Sequence, residues 1–395
     1  MQPIQAAERT DGVRYAIRDV VMRARELAAG GMEMLYLNIG DPIQFDFQTP
    51  PHLIEAISEA MAAGQTGYCA SEGTPEAIDA VTREAQRKGI QNPHHVYITT
   101  GASEAIELAL TALLDPGDEL LVPSPGYPLY TALLSKLSAK GVAYALDEAN
   151  GWQPNVEDMA RLITPKTKGI SVINPNNPTG SITDTNTLDK IVALAKEHNL
   201  LLLSDEIYDK LTLDGSTLTS LASRAGNHPC VTFGGIAKCY LSPGLRVGWG
   251  VISGEAKHIE EYGEAVARLE RVRLCSSYPA QAAVAAALDG PQDHIETMRA
   301  QLRSRRDRLM QGINAIHGIS CVPPLGAFYA FPRLDDGIDD NAFVMELMDQ
   351  TGIVCVPGSG FGQAAGTAHL RFVVLPPEQV IDQAMERLAA FMARR

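Results

Sequence analysis

Residues 200–206 read LLLLSDE. Four successive leucines leave no polar face, and the run ends abruptly in acids. A strand of this kind is covered on both sides, which demands a layer of helices above and below its sheet. Comparable runs lie in HHVYITT (94–100), DELLVPSP (118–125), KGISVIN (168–174), CVTFGGI (230–236) and RVGWGVI (246–252). Helical periodicity fills most of the gaps, clearly so in ASEAIELALTALL after the first run and in TLDKIVALAKEHN (187–199). Strand–helix alternation predicts an α/β chain with a large, mostly parallel central sheet flanked by helices.

The texture changes near residue 290. HIETMRAQLRSRRDRLMQGINAI reads as a long charged helix. Strand candidates follow in GAFYAFPRL, GIVCVPG and HLRFVVL, and PEQVIDQAMERLAAFMARR reads as a last helix. These predict a smaller α+β domain. A helix over 12–29 with the extended LYLNIG behind it has no place in the central alternation, so both are expected to join that domain. The expected division is 1–48 as an N-terminal segment joining the small domain, 49–285 as the large domain, and 286–395 as the small domain.

The chain of 395 residues carries a net charge of −14, with no basic stretch that would bind a phosphate backbone. No apolar run reaches the roughly 18 residues of a membrane span. The opening MQPIQAAERTDGVRYAIRD has charges where a secretory signal has an apolar run. Six scattered cysteines without a CxxC pair read as reduced thiols, not as a disulfide framework or metal site. The expectation is a cytoplasmic protein without nucleic-acid, membrane or metal partners.

Ligands of α/β sheets gather at the carboxyl ends of parallel strands. The first run delivers Gly101-Ala102-Ser103 and then a helix, whose free N–H groups suit an anion. NPNNPTG (174–180) is a rigid turn that can hold the Asn177 amide still. LLLLSDE delivers Asp205, an acid behind leucines that needs a partner, and then Tyr208. Each has a plainer reading, as a helix cap or an ordinary turn. In GGIAKCYLSPGLRVGWG (234–250), Lys238 and Arg246 stand among small, apolar and turn-forming residues. Poor hydration favours a neutral amine, the form that makes a Schiff base, and a guanidinium suits phosphate; a snorkelling lysine and a structural ion pair are the plainer readings. An anion site, an amide, an acid for a ring nitrogen and an amine for an aldehyde together match pyridoxal 5′-phosphate.

At this point the residues resemble a known family. NPNNPTG, SDEIY with its aspartate 28 residues after Asn177, a lysine 33 residues after Asp205, and GLRVGW are similar to the signature of fold-type I, class I/II, PLP-dependent aminotransferases. The likeness spans about residues 12–390. YAIRDVV, LNIGDP and the pairing of NPNNPTG with DEIYDK look most like the alanine aminotransferase branch of bacteria and archaea. The resemblance implies the PLP-dependent transferase fold. It implies that Lys238 binds the cofactor and shuttles a proton, and that Asp205 pairs with the pyridine nitrogen. Asn177 and Tyr208 would bond the ring 3′-oxygen, and Tyr127 would stack on the ring. Ala102, Ser103 and Arg246 would hold the phosphate. Tyr68 would reach the phosphate of a neighbouring subunit, which implies a homodimer with shared sites. Arg371, in HLRFVV, would hold the substrate carboxylate with the Gly40 backbone closing over it.

Gly235 and Ala237 depart from the pattern, because many relatives carry serine there. A second arginine for a dicarboxylate side chain is not evident; Arg18 and Arg273 are the candidates. The implied activity is amino-group exchange by a ping-pong mechanism, with alanine/pyruvate against glutamate/2-oxoglutarate as the first choice of substrates. Aspartate, aromatic and branched-chain donors remain alternatives, as does a C–S β-lyase on the same fold. The glycine-rich PGSGFG (357–362) is read as a small-domain turn, since it does not open a βαβ unit.

Overall fold

The computed structural model describes residues 3–12 and 17–395, with side chains in the second stretch from residue 20 onward. Its strands are β1 (Leu35–Tyr36), β2 (Pro93–Thr99), β3 (Glu119–Ser124), β4 (Lys140–Asp147), β5 (Gln153–Pro154), β6 (Thr167–Ile173), β7 (Leu201–Asp205), β8 (Cys230–Gly235) and β9 (Gly248–Ser253). They continue as β10 (Ile319–Ser320), β11 (Tyr329–Ala330), β12 (Arg333–Leu334), β13 (Ile353–Val354), β14 (Val356–Pro357) and β15 (Ala368–Val373).

Among the described residues, an eight-stranded sheet runs in the order β2-β9-β8-β7-β6-β3-β4-β5. From β8 through β7, β6 and β3 to β4, all neighbours pair in parallel. β9 runs antiparallel to both of its neighbours. Only residues 236–247 separate β8 from β9, with a single short 3-10 turn, Pro243–Leu245, and no crossover helix. A parallel return needs a longer connection. The sequence reading passed over β4, although KGVAYALD forms a full parallel partner of β3. Its burial nearly alternates, as befits a strand near the sheet's edge, so it lacks the continuous apolar run of its neighbours.

Both faces of the sheet are covered. Leu202, Leu121 and Ile170 pack into one apolar cluster, and Leu201, Leu203, Leu120 and Phe233 into a second. Successive side chains of a strand point to opposite faces, so the leucine run feeds both cores at once. The helix Ala102–Leu113 lies over the second cluster, with Ala105, Ile106, Ala109 and Leu110 buried against it.

A smaller sheet, in the order β10-β12-β15-β11, carries β14 on β15. β1 pairs in parallel with β13, so chain near residue 35 joins strands near residue 353. GAFYAFPRL and GIVCVPG each yield two short strands instead of one. The helix expected over 12–29 is present as Ile17–Ala29, and residues 13–16 lie outside the described set. The long charged helix is Asp293–Asn314, and the last helix is Glu378–Met392. No described helix is long and apolar enough to cross a membrane.

Glycines let the site's backbones approach. A Cβ on Gly248 would lie 2.2 Å from the amide nitrogen of Ala102, so β9 abuts the start of that helix. One on Gly250 would lie 2.2 Å from Cζ of the fully buried Tyr97 ring. Gly250→Ala is therefore expected to destabilise the protein by at least about 1–3 kcal/mol through overpacking, read as a lower urea midpoint.

Candidate active site

One cavity of about 350 Å³ opens at the carboxyl ends of the parallel strands, within the range of small-molecule sites. Its lining includes Gly40, Ala102, Ser103, Tyr127, Asn177, Asp205, Tyr208, Lys238, Arg246 and Arg371, ten of the residues singled out from sequence. Tyr68 is 84% exposed on the outer surface and does not line the cavity. The side chain of Arg18 lies outside the described residues.

At one end of the cavity the helix Ala102–Leu113 begins at Gly101, which has φ 77° and offers no side-chain cap. The first-turn N–H groups of Ala102 and Ser103 thus receive nothing from a cap. A Cβ on Gly101 would lie 2.4 Å from Nη2 of Arg246, so the guanidinium rests directly on the helix start. Arg246 itself has φ 53°, and its Nη1 donates to the Pro243 carbonyl at 3.2 Å. The turn lifts Arg246 away from the sheet into an exposed position, so the dry surroundings read from its neighbours in sequence belong only to the flanking strands. Two cationic features, a guanidinium and a helix start, point at the same space and suit an anion.

Asp205 closes β7 and is 3% exposed. It accepts the Ile207 N–H at 3.3 Å and the Tyr130 phenol at 3.4 Å. Burial pushes its pKa up to about 6, with Glu206 adding to the shift and Lys238 opposing it. Glu206, the next residue, faces away and has a full set of partners. It receives Ser204 Oγ at 2.9 Å, Ser220 Oγ at 2.7 Å and Lys88 Nζ at 3.1 Å. Asp205 lines the cavity and, among the described residues, lacks such a set, an environment that suits a ligand N–H⁺.

Lys238 lies three residues beyond β8, and its Nζ donates to the Gly40 carbonyl at 2.8 Å. A Cβ on Gly235 would meet the Val247 carbonyl at 3.0 Å and Ile207 Cδ1 at 3.1 Å. A side chain there would need these neighbours to give by a few tenths of an ångström. In NPNNPTG, two asparagines hold the turn. Asn174 Oδ1 accepts the Thr183 N–H at 3.0 Å, and Asn176 Oδ1 accepts the Thr179 hydroxyl at 2.9 Å. The third, Asn177, reaches into the cavity, and its Oδ1 accepts from Arg371 at 3.3 Å.

Arg371 arrives from the small sheet on β15. Its Nη2 donates to the Asn38 carbonyl at 2.7 Å. The guanidinium lies between two rings, 4.8 Å from that of Tyr329 and 4.6 Å from that of Phe361. Among the described residues its Nε is buried without a partner, as are both amide atoms of Asn38. A forked cation sandwiched between rings, with a donor to spare, suits a carboxylate.

Sequence reading missed Asn38, Tyr130, Tyr329 and Phe361. Asn38 sits inside LNIGDP, quoted above as a family motif, and Phe361 inside PGSGFG, read above as a turn; neither side chain was singled out. GAFYAFPRL signalled only a strand, and nothing local marked Tyr329 as lining a site. Arg273 donates to the Ile98 carbonyl at 2.8 Å and lies 3.6 Å from Glu104; it does not line the cavity.

A mostly parallel sheet with a cationic helix start, a buried acid and an amine at its strand ends is the ligand site of an α/β enzyme. The chain belongs to the aminotransferase class I and II family, whose model matches residues 32–388. It is 42% identical to the alanine aminotransferase of Mycobacterium tuberculosis, over 98% of this chain and 92% of that protein. It is 38% identical to the glutamate-pyruvate aminotransferase AlaA of Escherichia coli K12, over 100% of this chain and 99% of that protein. Among solved structures, the alanine aminotransferase from Pyrococcus furiosus superposes with a TM-score of 0.96 at 42% identity, covering 99% of this chain and 100% of that one.

Because the folded-state pKa of Asp205 lies above the ordinary carboxylate range, the neutral acid favours folding at low pH. That contribution is lost as pH rises through about 6. In protein stripped of ligand, Asp205→Asn is expected to gain stability on wild type between about pH 4 and pH 7, by up to about 3 kcal/mol. Urea midpoints at several pH values measure this, and a difference independent of pH would count against it.

Proposed function

We propose that this cavity holds pyridoxal 5′-phosphate and that the chain exchanges an amino group between alanine/pyruvate and glutamate/2-oxoglutarate by a ping-pong mechanism. The observation that carries the reading is the meeting, in one cavity, of the Lys238 amine, the buried Asp205 carboxylate, the Arg246–helix anion seat and the Arg371 fork. The residues fit the cofactor, because a buried acid and a helix start, which among the described residues carry no bonded cation and no side-chain cap, match its two ends. The names of the relatives favour alanine over the other donors.

When bound, the cofactor supplies an aldehyde for an amine and a ring that takes up the electron pair left by a broken Cα–H bond. Arg246 and the N–H groups of Ala102 and Ser103 hold the phosphate. Asp205 keeps a proton on the ring nitrogen, Asn177 and Tyr208 bond the ring 3′-oxygen, and Tyr127 packs against the ring. Lys238 Nζ would hold the aldehyde end, and as a free amine it would take the substrate Cα proton and return it. Arg371 grips the substrate carboxylate, and the Gly40 backbone closes over it. Such orientation contributes several kcal/mol to a barrier. Arg18 is proposed for a side-chain carboxylate.

Two copies would complete each site, with Tyr68 of one reaching the phosphate in the other. Support comes from exposed apolar side chains beside Tyr68: the Cys69 N–H contacts Cys275 Sγ at 3.5 Å, which sets the half-exposed Leu274 next to that loop. The division 1–48, 49–285 and 286–395 is proposed with the same reading, supported by the β1–β13 pairing across the ends of the chain. A cytoplasmic location fits six free cysteines.

Purified protein loaded with the cofactor is expected to show a visible band that bleaches with L-alanine and returns with 2-oxoglutarate. Pyruvate and ammonia formed without any oxo acid would instead indicate a β-lyase. Lys238→Ala is expected to lose activity by orders of magnitude; near wild-type turnover would overturn the assignment. Arg371→Lys keeps the charge but loses the fork, so KM for alanine should rise about tenfold or more.

A further inference from the structure

We propose that Tyr329 is a positioning residue that ties the carboxylate fork to the phenol of Tyr208, its hydroxyl donating to the Tyr208 oxygen and its ring carrying Arg371. The proposal rests on the cofactor reading above and adds a residue that neither motif nor spacing marked.

Tyr329 is 3% exposed and sits on β11, paired with Val373 two positions beyond Arg371 on β15. Its hydroxyl lies 2.9 Å from that of Tyr208. The face of its ring lies 4.8 Å from the Arg371 guanidinium. A Cβ on Gly40 would come within 2.3 Å of the same hydroxyl, and the Gly40 carbonyl holds Lys238 Nζ. One side chain therefore touches the fork, the phenol and the backbone that bonds the amine. An aromatic that only filled the core would have no reason to spend its hydroxyl on Tyr208 while lining the cavity.

Proton counting sets the direction of the bond. Each phenol has one hydrogen. If Tyr208 gives its hydrogen to a ligand oxygen, it can only accept from Tyr329. Accepting that bond makes Tyr208 a stronger donor, because linked hydrogen bonds polarise one another. A stronger donor stabilises an anionic ligand oxygen, so the protonated form of the bound chromophore appears at lower pH. The opposite direction, Tyr208 donating to Tyr329, predicts the opposite sign on removal of the hydroxyl.

The test is Tyr329→Phe in the cofactor-loaded protein, with the pH midpoint of the visible band as the main readout. The midpoint is expected to rise by about half a pH unit, with KM for alanine within about twofold of wild type because the ring stays over Arg371. Tyr329→Leu, which also removes the ring, should raise KM by about three- to tenfold in addition. A core-filling role would lower thermal stability and leave the midpoint in place. An unmoved or lowered midpoint in Tyr329→Phe overturns the hydroxyl's role, and an unchanged KM in Tyr329→Leu overturns the ring's. A wild-type protein with no visible band would sink the cofactor reading itself, whereas a normal wild-type band with an unmoved variant midpoint sinks this proposal alone.

Discussion

A carboxylate sits at the end of β7 with apolar residues behind it and, among the described residues, no cation bonded to it. Burial disfavours its charged form, and the neighbouring Glu206 shows how such a cost is met elsewhere in the protein. Glu206 turns to the other side of the strand and is saturated by two serine hydroxyls and Lys88. Period-2 geometry sends adjacent acids to opposite sides, so one is fully satisfied by the fold and the other is left for a ligand. Much of the site follows from that asymmetry, since a cation bound at Asp205 is also brought close to the amine and the anion seat that line the same cavity.

The other half of the site comes from a different sheet. β15 carries Arg371 across to Asn177 and Asn38, so one guanidinium bonds the turn after β6 and the segment after β1. The glycine-rich loop at 358–362 supports this crossing. Gly126 N–H donates to the Phe361 carbonyl at 2.9 Å, and Ser124 Oγ donates to the Gly362 carbonyl. Asp340 steadies the loop from behind, accepting the Ser359 N–H at 2.6 Å and the Gln363 amide at 3.0 Å. With the loop held in place, the Phe361 ring is fixed over the Arg371 guanidinium, while Tyr329 backs the other face. PGSGFG thus serves as a shelf for a cation.

Much of this was legible in the residues themselves. The parallel core could be read from unbroken apolar runs, because a strand covered on both faces tolerates no polar alternation. The residues at the strand ends could be read because α/β sheets present ligands there: Asp205 closes its strand, Asn177 and Lys238 follow theirs within a few residues, and Arg246 stands in the turn just before β9. The near-alternating β4 escaped notice, and so did the splitting of GAFYAFPRL into two short strands. Tyr130 and Tyr329 escaped for another reason: an aromatic in an apolar segment looks the same whether it fills the core or lines a cavity.

The sequence by itself determined the layered α/β architecture, the chemical character of the strand ends and the membership in the aminotransferase family. Those features are local, set by side-chain period, turn composition and short spacings. Only the tertiary structure decided that Arg371 lies between Tyr329 and Phe361, that Tyr329 bonds Tyr208, and that Lys238 Nζ rests on the Gly40 carbonyl 198 positions away in the chain. Contacts of that range depend on how two sheets dock, and docking is set by packing summed over the whole interior, which no short stretch of residues encodes.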